Sequence, residues 1–133
     1  MTTGGSRDPG PETDVFRVGG VSYLRIPAPD PAPVTSFYRE VFGWEIRGDP
    51  SHPAFTDGTG HVIGHFMPDV AVVGEGGVLP YVYVADLDAA LERVIEHGGT
   101  IVGEPYPEGN LWVATARDPA GNFVGLWQSG PRS

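Results

Sequence analysis

The chain has no cysteine among its 133 residues. Disulfide bonds, thiolate nucleophiles and cysteine-based metal sites are therefore excluded. It also lacks any run close to the roughly 18 apolar residues that a membrane-spanning helix requires. Residues 1–10 are rich in Gly, Thr and Pro and hold no apolar stretch, so no secretory signal is expected there. These absences predict a cytoplasmic location.

Positive charge is also scarce. The chain has 8 Lys and Arg residues against 17 Asp and Glu residues, which gives a formal net charge of -9. Such a chain repels phosphate backbones and anionic lipid surfaces, so neither nucleic acid nor a membrane is an expected partner. Hydrophobic residues make up 40% and aromatic residues 11% of the chain, which is typical of a globular protein. The length fits one domain that can bury its own core.

The hydrophobic pattern divides the chain into two similar modules between flexible tails. Stretches rich in Gly and Pro predict the tails and the linker that joins the modules. A module of about 55 residues cannot bury its sheet alone, so the two modules are expected to pack together. The predicted boundaries are 1–18 and 130–133 for the tails and 19–129 for a single domain, which comprises module one at 19–70, the linker at 71–77 and module two at 78–129.

Each module is predicted to follow the order strand, helix, strand, strand, strand. Alternating apolar residues predict first strands at 21–27 and 78–86. Asp30 and Asp86 offer N-caps for two helices, which end near Gly43 and Gly98. The predicted buried helix faces are Val34, Phe37, Tyr38 and Val41 in the first helix and Leu87, Leu91, Val94 and Ile95 in the second. Further strands are predicted near 44–47, 54–56, 62–67, 100–103, 111–117 and 122–128.

The last strands of the two modules look like copies of each other. The segment 62–66 aligns with 123–127, which sets Gly64 opposite Gly125. The turns that begin at Asp57 and Asp118 match at the same offset. In this alignment, corresponding residues of the two strands lie on the same face of their sheets.

Three linked segments resemble a known superfamily. They are "IPAPDPAPVTSFYREVFGWEI" in module one, "VYVADLDAALERVIEHGGTIV" in module two and the closing "DPAGNFVGLWQ". Together they resemble the vicinal-oxygen-chelate superfamily of glyoxalases, bleomycin-resistance proteins and extradiol dioxygenases, and above all its uncharacterised glyoxalase-related branch. The resemblance covers residues 21–128. It implies an α+β fold in which two βαβββ modules pair into a curved mixed sheet, with the helices on the convex side and a small-molecule site on the concave side.

The resemblance also implies where a metal would bind. Metal-dependent members take ligands from the first and last strands of each module, usually His or Gln on the first strand and Glu or His on the last. Carried over, these positions are Val21, Gly64, Leu79 and Gly125, and none has a metal-binding side chain. A register shift of two residues gives Tyr23, Phe66, Tyr81 and Trp127, which are no better. No standard metal site and no cofactor are therefore expected.

The four histidines are not expected to form another metal site. His61 and His65 share a strand, but four residues at about 3.3 Å each separate them by about 13 Å. The carried-over register turns both toward the helix side. His97 falls in the last helical turn, where it can interact with the helix dipole, and His52 falls in a loop. All four are predicted to be ordinary surface or edge residues.

The same register predicts an aromatic pocket on the concave side. Aromatic walls with a few polar groups are typical of small-molecule sites. Arg25 is suited to binding a carboxylate or phosphate, or alternatively to pairing with an acidic neighbour. The tyrosines are suited to contacting a ligand, or alternatively to packing at a dimer interface. No catalytic residue is identified, and the predicted ligand-binding residues are Tyr23, Arg25, Phe66, Tyr81, Tyr83, Phe123 and Trp127.

Three functions stay open at this point. The first is a metal-free protein that binds or sequesters a small-molecule ligand, and the missing metal ligands and the aromatic pocket favour it. The second is a lyase, isomerase or dioxygenase relative that works without a metal or with a metal in a non-standard place. The third is an interaction module whose aromatic face only forms a dimer. The resemblance implies a homodimer, because a module from a second chain often completes the cup in this superfamily.

Overall fold

The chain folds as two βαβββ modules, as the sequence predicted. The computed structural model describes residues 15–74 and 76–132. Module one consists of β1 (Tyr23–Pro27), α1 (Pro31–Phe42), β2 (Glu45–Arg47), β3 (Ala54–Thr56) and β4 (Ile63–Met67). Module two consists of β5 (Tyr81–Tyr83), α2 (Leu87–Glu96), β6 (Thr100–Glu108), β7 (Leu111–Arg117) and β8 (Phe123–Ser129).

Each module forms its own four-stranded mixed sheet. The strand orders are β1-β4-β3-β2 and β5-β8-β7-β6, so the two modules share one topology. In each sheet the first and last strands of the module are parallel neighbours, and the other pairs are antiparallel. The α+β class of the prediction is confirmed.

The first helix buries the predicted face. Its buried residues include Val34, Phe37, Tyr38 and Val41. Helix α1 ends at Gly43, whose φ of 74° is a left-handed conformation that glycine adopts most easily. Asp30 occupies the N-cap position, but its side chain makes no capping hydrogen bond. The third helical residue is Pro33, which has no N–H group to donate to such a cap.

The second helix begins as predicted but buries a slightly different face. The Asp86 carboxylate accepts a hydrogen bond from the Ala89 N–H at 3.1 Å, which caps α2. Ile95 was predicted on the buried face, yet it is 61% exposed. Ala90 is buried instead, because the apolar stripe that starts at Leu87 continues three, four and seven residues later.

Strand β6 is longer than the predicted strand at 100–103, because it continues to Glu108 through two prolines. Proline cannot donate a ladder hydrogen bond, so it is tolerated mainly at the edge of a sheet. Strand β6 is one of the two edge strands of its sheet.

One hydrophobic core joins the two modules. Helices α1 and α2 contact each other, and the Phe37 ring lies so near Gly99 that an added Cβ would come within 2.6 Å of it. The Tyr38 hydroxyl also donates a hydrogen bond to Asp118 of module two at 2.9 Å. The modules therefore pack through the helix sides of their sheets.

The predicted tails are described only in part. Residues 1–14 of the first tail, Glu75 of the predicted linker and Ser133 lie outside the described residues. Val15 is buried. Within the described residues, no helix is long and apolar enough to cross a membrane.

Candidate ligand-binding site

Each sheet has one face that packs against the helices and an opposite face, which we call the open face. Paired residues of neighbouring strands project to the same side, so the register assigns each residue to a face. On the open face of module one, a row crosses the four strands through Arg25, His65, Ala54 and Arg47, and Tyr23 lies beside it on β1. The open face of module two carries Tyr81, Tyr83, Phe123, Gly125 and Trp127.

Six of the seven predicted ligand-binding residues lie on an open face, but the expected position of Phe66 was wrong. Phe66 is fully buried, and its ring centroid lies 5.6 Å from that of Tyr38 and 5.1 Å from that of Phe55. Its side chain therefore packs on the helix side. His65 was expected on the helix side, yet its Nδ1 lies 2.6 Å from the Tyr23 hydroxyl on the open face. The side chains of β4 therefore point to the opposite faces of the sheet from those predicted.

The turn before β4 explains the reversal. In module one the Asp57 N–H donates to the Val62 carbonyl, five residues later. In module two the Asp118 N–H donates to the Asn122 carbonyl, only four residues later. The extra residue in the first turn shifts β4 by one position, and such a shift moves every side chain of a strand to the other face. Gly64 consequently faces the helix side.

Tyr23 and His65 form a hydroxyl–imidazole pair on the open face of module one. The Tyr23 hydroxyl either donates to a neutral imidazole at Nδ1 or accepts a hydrogen bond from it. In the first case His65 carries its proton on Nε2 and keeps a donor for another group. The pair can therefore hydrogen-bond a polar ligand group or transfer a proton.

A small polar cleft surrounds this pair. Its volume is about 390 Å³. It brings together side chains from β1, from the loop before β3 and from the end of β4. The residues that define the polar cleft are Tyr23, Arg25, His52, His65, Met67 and Asp69. The cleft combines one guanidinium and two imidazoles with a single carboxylate.

A larger apolar cleft lies between module one and module two. Its volume is about 560 Å³, within the range of about 300–1,000 Å³ typical of small-molecule sites. Its walls include Val21, Arg25, Val73, Val78, Tyr81 and Phe123, and we call it the apolar cleft. Arg25 lines both clefts. Within residues 15–74 and 76–132, its guanidinium makes no hydrogen bond or ion pair.

The open face of module two is aromatic. The rings of Tyr83 and Trp127 meet edge to face, with centroids 4.7 Å apart. Tyr81 lies over Gly125, where an added Cβ would overlap its ring. The two tyrosines are 45% and 54% exposed, so both rings offer a surface to another molecule.

Arg117 and Phe123 form a further contact on the open face of module two. The Arg117 guanidinium carbon lies 4.8 Å from the centroid of the Phe123 ring. A guanidinium at this distance is attracted by the ring face. The contact adds a cation to the aromatic surface.

One carried-over metal-ligand position, Gly125, offers no ligand. The ring of Tyr81 occupies the space above Gly125, and Gly125 itself has no side chain. The corrected register does bring His65 to the open face, where its Nδ1 lies within hydrogen-bond distance of the Tyr23 hydroxyl. Among residues 15–74 and 76–132, no group of three or more His, Asp or Glu side chains is close enough to hold a metal ion.

A buried tyrosine–carboxylate pair lies behind the apolar cleft. The Tyr38 hydroxyl donates to Asp118 Oδ2 at 2.9 Å, and Asn122 Nδ2 donates to the same oxygen at 2.8 Å. Burial, and then the negative charge of Asp118, raise the pKa of Tyr38 well above its ordinary value. Burial also raises the pKa of Asp118, although its hydrogen bonds from Asn122 and Tyr38 act in the opposite direction. Asn122 Nδ2 also donates to the Pro27 carbonyl at 2.7 Å, so this network links the two modules.

Sequence reasoning missed several open-face or cleft residues, among them His65, His52 and Arg117. A count of the turn residues before β4 would have found His65, because one extra residue reverses the strand. Arg117 and Phe123 flank the turn of the last hairpin, so their pairing was also open to prediction. His52 reaches the polar cleft from a loop, and no periodicity signals that position.

A sequence profile of the glyoxalase-like domain family matches residues 23–126. A glyoxylase-like domain-containing protein of Didymella fabae is 33% identical over 89 residues, which cover 61% of this chain and 70% of that protein. CFP32 of Mycobacterium tuberculosis, whose name assigns it provisionally as a glyoxylase, is 26% identical over 133 residues, which cover 90% of this chain and 49% of that protein. This chain therefore spans about half the length of CFP32.

Solved structures share the fold at low sequence identity. The fosfomycin resistance protein FosX of Mesorhizobium loti has a TM-score of 0.70 and 16% identity, covering 85% of this chain and 94% of FosX. TnmS3, an antibiotic binding protein of Streptomyces sp. CB03234, has a TM-score of 0.66 and 20% identity, covering 86% of this chain and 99% of TnmS3. The profile match over residues 23–126 establishes that the chain belongs to the glyoxalase-like domain family of the vicinal-oxygen-chelate superfamily, and the solved structures share its fold.

Proposed function

We propose that this chain binds a small, flat or aromatic compound in an aromatic pocket on its open faces. The observation that carries the proposal is the aromatic surface of module two, where Tyr81, Tyr83 and Trp127 lie together beside the apolar cleft. Aromatic rings stack on flat ligands, and tyrosine adds a hydroxyl that can hydrogen-bond them. A soluble domain that leaves such rings half exposed is suited to covering them with a ligand or a partner.

The names of two structural neighbours support the same ligand class. FosX is named for resistance to fosfomycin, and TnmS3 is described as an antibiotic binding protein. Both associate this fold with recognition of a small molecule. The compound proposed here is likewise a small molecule, held by the pocket as a non-covalent complex.

We further propose that binding does not use the family's standard metal. Gly125 supports this, because the Tyr81 ring fills the space that a metal-binding side chain at this position would need. The aromatic surface of Tyr81, Tyr83 and Trp127 would then supply the contact area in place of the metal.

The test is a thermal-shift screen of planar aromatic compounds against untagged protein, followed by isothermal titration of the hits. Trp127→Leu should lower the affinity for a hit by about tenfold or more, because a buried aromatic contact of this kind contributes a large share of the binding energy. The matched control is Trp112→Leu on β7, since Trp112 pairs with Gln128 on the helix side rather than with Trp127. Equal weakening by both variants, or none by Trp127→Leu, would contradict the proposed pocket.

We propose in addition that the chain is a homodimer in which a second copy covers part of the open faces. Tyr23, Tyr81 and Tyr83 are 47%, 45% and 54% exposed, because the two modules pack through their helix sides and leave these rings outward. Tyrosine is enriched at protein interfaces. Native mass spectrometry should give twice the chain mass. A monomer that still binds aromatic hits would refute the dimer and leave the pocket in place.

A further inference from the structure

The polar cleft contains a guanidinium group that has no partner among the described residues. Arg25 is exposed on β1, and its guanidinium makes no hydrogen bond or ion pair within the described residues. Arg25 lines both the polar cleft and the apolar cleft.

The neighbours of Arg25 add hydrogen-bonding groups to its guanidinium. On the adjacent strand its register partner is His65, which the Tyr23 hydroxyl holds through Nδ1. His52 lies in the same cleft, while the one carboxylate that lines it is Asp69. When Tyr23 donates to Nδ1, the Nε2–H of His65 is free to donate to an anion. Arginine and imidazole N–H groups are strong donors to carboxylate and phosphate oxygens.

The positive charge of Arg25 is opposite in sign to the net charge of the chain. The net charge is -9, and all eight basic residues are arginines. Three of the eight arginines, Arg25, Arg47 and Arg117, lie on the open faces. In an acidic protein, a neutral ligand gains little from a guanidinium that is unpaired among the described residues, such as that of Arg25, whereas an anionic ligand is attracted to it.

We propose that the polar cleft is an anion subsite, in which Arg25 and His65 bind the carboxylate or phosphate of a ligand whose aromatic body lies in the apolar cleft. The proposal rests on the proposed small-molecule function and narrows it to anionic aromatic compounds. Arg25 joins the anion subsite to the apolar cleft, because it is the charged residue that lines both clefts. A flat compound against Tyr81 and Phe123 can then direct a terminal anion toward Arg25.

The experiment compares two probes of nearly equal shape, 2-naphthoate and its neutral amide 2-naphthamide. Isothermal titration measures both affinities on wild-type protein and on Arg25→Gln. Wild type should prefer naphthoate by about tenfold or more, because only the carboxylate forms a charge-assisted bond to a guanidinium. In Arg25→Gln this ratio should fall to about one.

Two variants serve as controls. Arg39→Gln removes the same charge from the exposed surface of α1, where Arg39 pairs with Glu40 at 3.2 Å and lines neither cleft. The preference for naphthoate should survive that change, which separates a local contact from the net charge of the protein. Arg25→Lys keeps a cation at the site, so it should retain part of the preference.

The outcomes separate this inference from the function on which it rests. Equal binding of both probes to wild type would overturn the anion subsite while supporting the aromatic pocket. A preference that survives Arg25→Gln, or that disappears in Arg39→Gln, would overturn the assignment to Arg25. Binding of neither probe to correctly folded wild type would overturn the aromatic pocket itself, and the subsite with it.

Discussion

Removal of the Tyr38 hydroxyl should destabilise the whole domain, because that hydroxyl bonds the first module to the second. Tyr38 is 3% exposed, and its ring stacks on Trp44 with centroids 4.7 Å apart. Tyr38→Phe keeps this packing and deletes only the donor to Asp118 Oδ2, at 2.9 Å. Asn122 then remains as the side-chain donor to that oxygen.

The expected cost follows from the charge and burial of the acceptor. A hydrogen bond to a charged group contributes about 1.5–3 kcal/mol, more than a neutral one. Tyr38→Phe loses this contribution, while Asn122 keeps Asp118 Oδ2 paired. Single domains of this size have a free energy of unfolding of roughly 5–15 kcal/mol. The midpoint temperature should therefore fall by roughly 5–15 °C.

Urea unfolding of a double-mutant cycle measures this interaction. The variants are Tyr38→Phe, Asp118→Asn and both together, and the pair should show a coupling energy of about 1 kcal/mol or more. Tyr106→Phe is the control. Tyr106 is 44% exposed, so removal of its hydroxyl should leave the free energy of unfolding almost unchanged. A coupling energy near zero would refute the argument that this bond joins the modules.

Three further predictions concern the core and its titration. Because the pKa of Asp118 is raised in the folded state, its stabilising contribution is present below the ordinary pKa of about 3.9 and is lost as pH rises through the folded-state pKa. Urea unfolding should therefore show that wild type loses stability relative to Asp118→Asn as pH rises across that window. The opposite trend would mean that the hydrogen bonds to Asp118 outweigh the effect of its burial. Gln128→Leu should lower the free energy of unfolding by about 1–3 kcal/mol in the same assay, because the buried Gln128 Oε1 accepts a hydrogen bond from the Leu87 N–H at the start of α2 at 2.7 Å. A loss below about 0.5 kcal/mol would contradict that role. Gly99→Ala should cost about 1–3 kcal/mol, because the new Cβ would lie 2.6 Å from the Phe37 ring, and unchanged thermal unfolding would show that the helices move apart freely.

The order and type of the elements could be predicted because their signals are local. Val34, Phe37, Tyr38 and Val41 recur at helical spacing, and all are buried in α1. Asp86 precedes the second helix and caps it. The alternation of Tyr81, Val82 and Tyr83 likewise assigned the aromatic side chains of β5 to the open face. Each of these features depends on residues within a few positions of one another.

The facing of β4 could not be predicted by aligning the two halves. The turns that begin at Asp57 and Asp118 have similar sequences, but the turn in module one is one residue longer. Only the backbone hydrogen bond that closes each turn reveals where the following strand begins. The error reversed the places of Phe66 and His65, so a proposed pocket residue moved into the core and a supposed edge histidine moved to the polar cleft.

The sequence by itself determined that the chain is an acidic α+β protein with two βαβββ modules and an aromatic face on β5 and β8. Periodicity, helix caps and turn residues act over short distances, so they can be read along the chain. The tertiary structure alone decided which groups meet, such as Tyr38 with Asp118, 80 residues apart, and Arg25 between the two clefts. Such contacts depend on strand register and on how the helix sides pack, and a shift of one residue in a turn is enough to change them.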